Sequence, residues 1–249
     1  MLNLRRKPQV LGLAGIILAM ALLTLYTFAA IIGQNQPEPK RASEVEPTPL
    51  PIVDYNTLES SSVEKQNIRR ARSSRHNDST LNVKELPPNV DRLPLISHSW
   101  WGLPSIPTKQ SDAVIVGEIN DAHAYLSNDK TGVYSEFTIQ VEQVLKAPVS
   151  VNPTSVVVER VGGAVRFPSG RVIRYEVYNQ GMPRIGGRYL LFLRYNSDGD
   201  DFSVLTGYEL RNGRVVPLDN VEGLFTQYKD WSEAAFHNLV TTTIKGRQH

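Results

Sequence analysis

Tyr134-Ser-Glu-Phe-Thr-Ile-Gln-Val-Glu-Gln-Val-Leu145 sets the fold class. Phe137, Ile139 and Val141 fall on one side of an extended chain, and Glu136, Thr138, Gln140 and Glu142 fall on the other. That period of two marks a strand buried on one face. Upstream, Asp112-Ala-Val-Ile-Val-Gly-Glu-Ile119 is rich in β-branched residues and reads as a strand buried at its centre. The polar stretch Asn128 to Gly132 joins the two, as antiparallel pairing requires. Downstream come Ser155 to Val161, Val165 to Phe167, Arg171 to Tyr178, Arg188 to Arg194, Ser203 to Thr206, Tyr208 to Leu210 and Val215 to Val216. Pro168-Ser169-Gly170 and Asn212-Gly213 are hairpin turn signals, the second of the type I′ kind. Only the end is helical in pattern. Asp230 can cap, Glu233 follows as in a capping box, and Trp231, Ala235 and Leu239 share a stripe with Phe236 and Val240 beside it. Many short strands and one terminal helix (230–244) predict a mainly β class, a small barrel or sandwich over 98–249.

The 249 residues hold 27 Lys/Arg and 25 Asp/Glu, distributed unevenly. Residues 1–97 carry 12 basic against 9 acidic side chains, and 98–249 carry 15 against 16. A near-neutral C-terminal part argues against nucleic-acid binding, which needs a concentrated basic face. The chain has no cysteine, which excludes disulfides, thiolate metal sites and a cysteine nucleophile.

Val10 to Ile32 contains no charge and is rich in Leu, Ile and Ala. At about 1.5 Å per residue a helix of that length covers roughly 35 Å, enough to cross the ~30 Å hydrocarbon layer. Arg5, Arg6 and Lys7 precede it, so the positive-inside rule places residues 1–9 in the cytoplasm and the C-terminal domain outside. The expectation is a single transmembrane helix over 10–33 inserted in the lipid bilayer. The competing reading is a cleaved signal peptide, with Ala19-Met20-Ala21 as the small-x-small site. Residues 34–97 are Pro-rich and charged, with few aromatics and no sustained period, and read as a flexible tether. Lys65, Arg69, Arg70, Arg72 and Arg75 form a basic run inside it, read as a solvated or nascent helix of the spacer.

Three phrases in order, Ser111-Asp-Ala-Val-Ile-Val-Gly-Glu-Ile119, Phe137-Thr-Ile-Gln-Val-Glu-Gln-Val-Leu-Lys146 and Gly187-Arg-Tyr-Leu-Leu-Phe-Leu193, resemble the OB-fold barrel of netrin-like modules and tissue inhibitors of metalloproteinases. The whole chain resembles a class of membrane-anchored bacterial proteins. The resemblance implies an OB-like barrel. It does not carry over the inhibitory chemistry, which in that family uses an N-terminal cysteine.

Walker, Gly-x-Gly-x-x-Gly, His-Glu-x-x-His and Gly-x-Ser-x-Gly motifs are absent from the sequence. His76, His98, His123, His237 and His249 show no ligand spacing, and Asn196, Asp198, Asp200 and Asp201 depart from a calcium loop and read as a polar hairpin. Glu118, Asp121 and Glu142 read as surface charges, and Trp100 and Trp101 as a cover over one end of the barrel. No cofactor, metal or catalytic residue is expected. The candidate binding residues are Arg166, Arg171, Arg174 and Tyr178, whose cations suit an acidic protein or glycan partner. The functional expectation is a membrane-anchored extracytoplasmic binding module. A structural subunit of an envelope complex, docking through the terminal helix, and an enzyme with a dispersed site are its rivals.

Overall fold

The computed structural model describes residues 50–57, 62–77, 83–96, 100–147 and 154–246. The expected tail 1–9 and membrane span 10–33 lie outside them. Among the described residues, no helix is long and apolar enough to cross a membrane. The chain is mainly β with a C-terminal helix. Its elements are β1 (Ile52–Asp54), α1 (Val63–Ser74), β2 (Arg92–Leu95), β3 (Ala113–Leu126), β4 (Val133–Lys146), β5 (Ser155–Val161) and β6 (Gly163–Arg166). Then follow β7 (Val172–Val177), β8 (Arg188–Asn196), β9 (Asp201–Arg211), β10 (Arg214–Pro217), a 3-10 turn (Thr226–Tyr228) and α2 (Glu233–Lys245).

Five strands pair in a closed ring. β3 is antiparallel to β4 on one side and to β8 on the other, β4 is antiparallel to β5, and β8 is antiparallel to β9. The ring closes where β5 meets β9 in parallel, through Val158↔Phe202 and Glu159↔Ser203. β10 extends the ring from β9, and Asn212 and Gly213 between them both take positive φ (53° and 71°), the type I′ geometry. A second sheet has the order β1-β6-β7-β2.

The side-chain period explains how β3 and β8 are used. Val114 and Val116 of β3, with Leu190 and Phe192 of β8, pack under α2 against Phe225, Phe236 and Val240. The alternate residues Ala113, Ile115, Leu191 and Leu193 pack against Phe137, Ile139, Val156 and Val158 in a second cluster. The first part of β3 and the centre of β8 are buried on both faces, which is why those stretches run apolar without alternating. A third cluster, with Val165, Phe167, Ile173, Tyr175 and Val177, underlies the four-stranded sheet.

The tether expectation is corrected over its described residues within 50–96; its residues 34–49 lie outside them. The compact unit begins at Thr48, and β1, α1 and β2, all within 34–97, are parts of it. These segments show no apolar period because their order comes from other sources. β1 and β2 add in parallel to the edges of the β6–β7 hairpin, and α1 is bound through its arginines. The terminal helix is also adjusted. Ser232, not Asp230, is the N-cap, its side chain accepting from the Ala235 N–H at 3.3 Å. Phe236 and Val240 form the buried stripe, whereas Trp231 is 42% exposed.

Candidate functional site

Helix α1 starts at Ser62, whose side chain caps the Lys65 N–H, and carries Glu64 in its first turn and Arg72 in its last, as the helix dipole favours. Arg69, Arg72 and Arg75 recur every three residues and so lie along one face. Across from them stand Glu136 of β4 and Glu159 of β5, directly opposed in register, with Asp201 at the start of β9. Two carboxylates facing each other across a ladder repel. The arginine stripe supplies the missing cations. Arg69 and Arg72 both pair with Glu136, the latter at 3.0 Å. Arg75 pairs with Asp201 at 2.6 Å, Asp198 at 2.7 Å and Glu159 at 3.1 Å. His76 adds a 2.6 Å contact from Nε2 to Glu159 and stacks on Tyr134 with ring centroids 4.1 Å apart.

Two glycines let the helix come this close. A Cβ at Gly132 would run into the His76 carbonyl, and one at Gly199 would lie 2.6 Å from Arg72 Cγ. Arg72 Nε also donates to the Gly199 carbonyl at 2.8 Å. The Asn196–Asp201 hairpin is a polar loop as expected, and two of its acids, Asp198 and Asp201, are partners of Arg75. Among the described residues no group of three or more His, Cys, Asp or Glu could hold a metal ion.

Burial and the Glu159 charge push the Asp201 carboxyl up to about 6, against the pull of Arg75 and Arg72. Burial would also raise Glu159, but hydrogen bonds from His76 and Ser203 and the Arg75 charge outweigh it and hold that carboxyl at about 2. Desolvation beside Glu136 pushes the Tyr134 hydroxyl well above the usual phenol range. Tyr134 accepts from Arg69 at 3.0 Å and shares a 3.0 Å hydrogen bond with Ser73.

Beside this junction lies a cleft of about 600 Å³. One wall is β1 and the residues after it, including Tyr55 and Thr57; another is α1, through Gln66, Arg69 and Arg70. The third is the end of β3 and its hairpin to β4, through Tyr125, Asn128 and Lys130. The hairpin is fixed to the helix by Asn128, whose Nδ2 donates to the Arg70 carbonyl at 2.9 Å. The Arg69 guanidinium sits 3.3 Å from the Tyr125 ring centroid, and Lys130 Nζ 4.5 Å from that of Tyr55.

The residues singled out from the sequence lie on the second sheet. Ile173, Tyr175 and Val177 face its core, so Arg174, Glu176 and Tyr178 point outward as the alternation requires. Arg166 pairs with Asp54 at 3.2 Å and Arg174 with Asp91 at 3.0 Å. Arg171 donates to the carbonyls of Leu86, Pro87 and Val90, with Glu85 at 3.6 Å. The acids that meet these cations come from residues 54–91 of the same chain, the segment assigned above to a tether. Tyr178 is 72% exposed. The pair Trp100 and Trp101 separates: Trp100 packs against two of the core clusters, and Trp101 is 78% exposed. Glu118 is exposed, Asp121 contacts His123 at 2.9 Å, and Glu142 binds Arg188 at 2.6 Å.

The sequence reading allows a solvated or nascent helix over the basic run and overlooks the acids that bind it. The available signal was the three-residue arginine spacing behind a Ser cap, together with unmatched glutamates on two successive strands. Compared with models of known protein families and with curated proteins, the chain matches none.

Proposed function

We propose that this protein is a membrane-anchored, extracytoplasmic binding module built on an OB-like barrel, and that its ligand occupies the cleft between α1, β1 and the β3–β4 hairpin. The cleft carries the reading. Its volume of about 600 Å³ falls within the range of small-molecule sites, and its walls come from three elements tied together by specific hydrogen bonds and ion pairs. The barrel assignment is supported by the ring order β3-β4-β5-β9-β8. The order is a Greek key rather than up-and-down because β8, the next ring strand after β5 in the chain, pairs with β3 and β9, while β9 lies between β5 and β8. The anchor rests on the 23 uncharged residues Val10 to Ile32 and the basic cluster before them.

The test is a thermal-shift screen of small metabolites, saccharides and short peptides on the chain from Thr48 onward, alongside its Gln66→Trp variant. Gln66 lines the cleft, so an indole there fills it. A compound that stabilises the parent and not the variant supports the reading; hits indifferent to Gln66→Trp place binding elsewhere. Retention of the full chain in membranes after alkaline washing tests the anchor, and release into the wash removes it.

A further inference from the structure

We propose that the cleft takes a small anionic ligand whose carboxylate or phosphate group is held between Arg70 and Lys130, an assignment that rests on the reading of the cleft as the binding site. The inference comes from charge accounting around the cleft. Arg69, Arg72 and Arg75 of α1 are all matched by acids, and among the described residues Arg70 alone of the helix arginines has no acid partner and is exposed. Its backbone is nevertheless fixed, since Asn128 holds the Arg70 carbonyl. Lys130 likewise has no carboxylate among the described residues. Its Nζ donates to the Tyr55 carbonyl at 3.1 Å, which leaves two N–H groups. The nearest acid in its own loop is Asp129, and that carboxylate is turned onto Ser127 and Thr131 at 2.7 Å each.

The other charged side chains that line the cleft have partners: Asp54 is met by Arg166, Arg69 by Glu136, and His123 contacts Asp121. The lining cations without a carboxylate among the described residues are Arg70 and Lys130. The aromatic surfaces are already covered: Arg69 lies over Tyr125, and Tyr55 carries Lys130 and stacks on Phe167 at 5.2 Å. Ring stacking of a neutral sugar is therefore a weaker source of affinity here than charge. A guanidinium gives a planar anion two parallel hydrogen bonds, and an ammonium adds a point charge. Carboxylate and phosphate share that chemistry, and the probes must separate them.

The experiment uses the full chain in detergent, titrated calorimetrically at low salt with inorganic phosphate, D-glucuronate and, as neutral control, D-glucose. At least one anion is expected to bind and glucose not to bind. Response to phosphate alone identifies a phosphate ligand, and response to glucuronate alone a carboxylate. Arg70→Gln and Lys130→Gln should each weaken binding about tenfold or more, as loss of a charge-assisted hydrogen bond does. The unfolding midpoint should stay unchanged in Arg70→Gln and fall only slightly in Lys130→Gln, which also loses its contacts with Tyr55. Failure of both anions to bind, equal binding of glucose, or unaltered affinity in both variants overturns the proposal. The two readings part at Gln66→Trp. If only neutral compounds bind and that change abolishes them, the cleft reading stands and the anionic ligand falls. If no binding of any kind responds to Gln66→Trp, both fall.

Discussion

Two sets of arginines hold the N-terminal segment of this domain to the rest of it, and they do so at different depths. On α1, Arg69, Arg72 and Arg75 meet Glu136, Glu159 and Asp201, whose side chains are 8%, 5% and 0% exposed. On the β6–β7 hairpin, Arg166, Arg171 and Arg174 meet Asp54, Glu85 and Asp91, at 59%, 36% and 73%. The direction of attachment is also reversed. In the first set the N-terminal segment brings the cations; in the second it brings the acids. Burial decides what each set is worth. Removing one partner of a buried pair leaves an uncompensated charge out of water and costs about 3–5 kcal/mol, whereas an exposed pair contributes roughly 0–1 kcal/mol. The α1 junction is structural, and the hairpin junction is mostly a means of orienting an edge.

The largest effect should come from removing both junctions at once. A chain beginning at residue 98 loses β1, α1 and β2, bares the opposed carboxylates of Glu136 and Glu159, and strips both edges of the β6–β7 hairpin. It is expected to fail to unfold cooperatively in urea, while a chain beginning at Thr48 shows one transition. Equal transitions for the two would mean that the α1 junction adds nothing. Next in size is Arg75→Ala, which removes the cation shared by Asp201, Asp198 and Glu159 and should cost about 3–5 kcal/mol in urea unfolding. A loss below about 1 kcal/mol would assign the junction to the exposed class.

A smaller effect should appear as a pH dependence. Asp201 has a folded pKa of about 6 against 3.8 for the ordinary group, so the folded state holds its proton more tightly. Its contribution therefore declines as pH rises from about 4 to about 6. Glu159 has the opposite sign: its folded pKa of about 2 lies below 4.5, so its stabilisation is complete above about 4.5 and is lost as pH falls towards 2. The difference in stability between the parent and Asp201→Asn, followed across pH 4 to 7, isolates the first of these. The parent should lose stability relative to the variant as pH rises through that window. A flat difference would mean that Asp201 titrates normally.

The parts of this molecule that the sequence discloses are those whose burial is written in their own side chains. β4 alternates, and β3 and β8 carry continuous apolar runs. β9 is a single strand where two short ones are expected, because Gly207 resembles a break. It is instead a point of contact: a Cβ there would lie 2.5 Å from Leu191 Cδ2. α1 reads as no more than a solvated or nascent helix because its binding stripe is arginine, and a cationic stripe in isolation is indistinguishable from a solvated face. Only the pairing of Glu136 with Glu159 across a ladder, which is a tertiary fact, gives the stripe its purpose. The hairpin arginines were identifiable as cations in need of acids. That their acids lie 83 to 112 residues upstream in the same chain (Asp91 for Arg174, Glu85 for Arg171 and Asp54 for Arg166) could not be read from spacing.

The smallest expected effect is at that hairpin. Arg92 and Arg174 are directly opposed in the β2–β7 ladder, a like-charge pair that is relieved diagonally, Arg92 binding Glu176 at 2.8 Å and Arg174 binding Asp91 at 3.0 Å. Replacing Arg174 by Gln removes one pair and one repulsion together, and Asp91, at 73% exposure, returns to water at little cost. The unfolding midpoint should move by less than the equivalent of about 1 kcal/mol, and Arg166→Gln, opposite the equally open Asp54, should behave alike. A double-mutant cycle between Arg174→Gln and Asp91→Asn gives the coupling directly. A value near zero to about 1 kcal/mol keeps the contrast with α1. A value of about 3 kcal/mol or more would mean that the two junctions are energetically of one kind, and that exposure does not distinguish them.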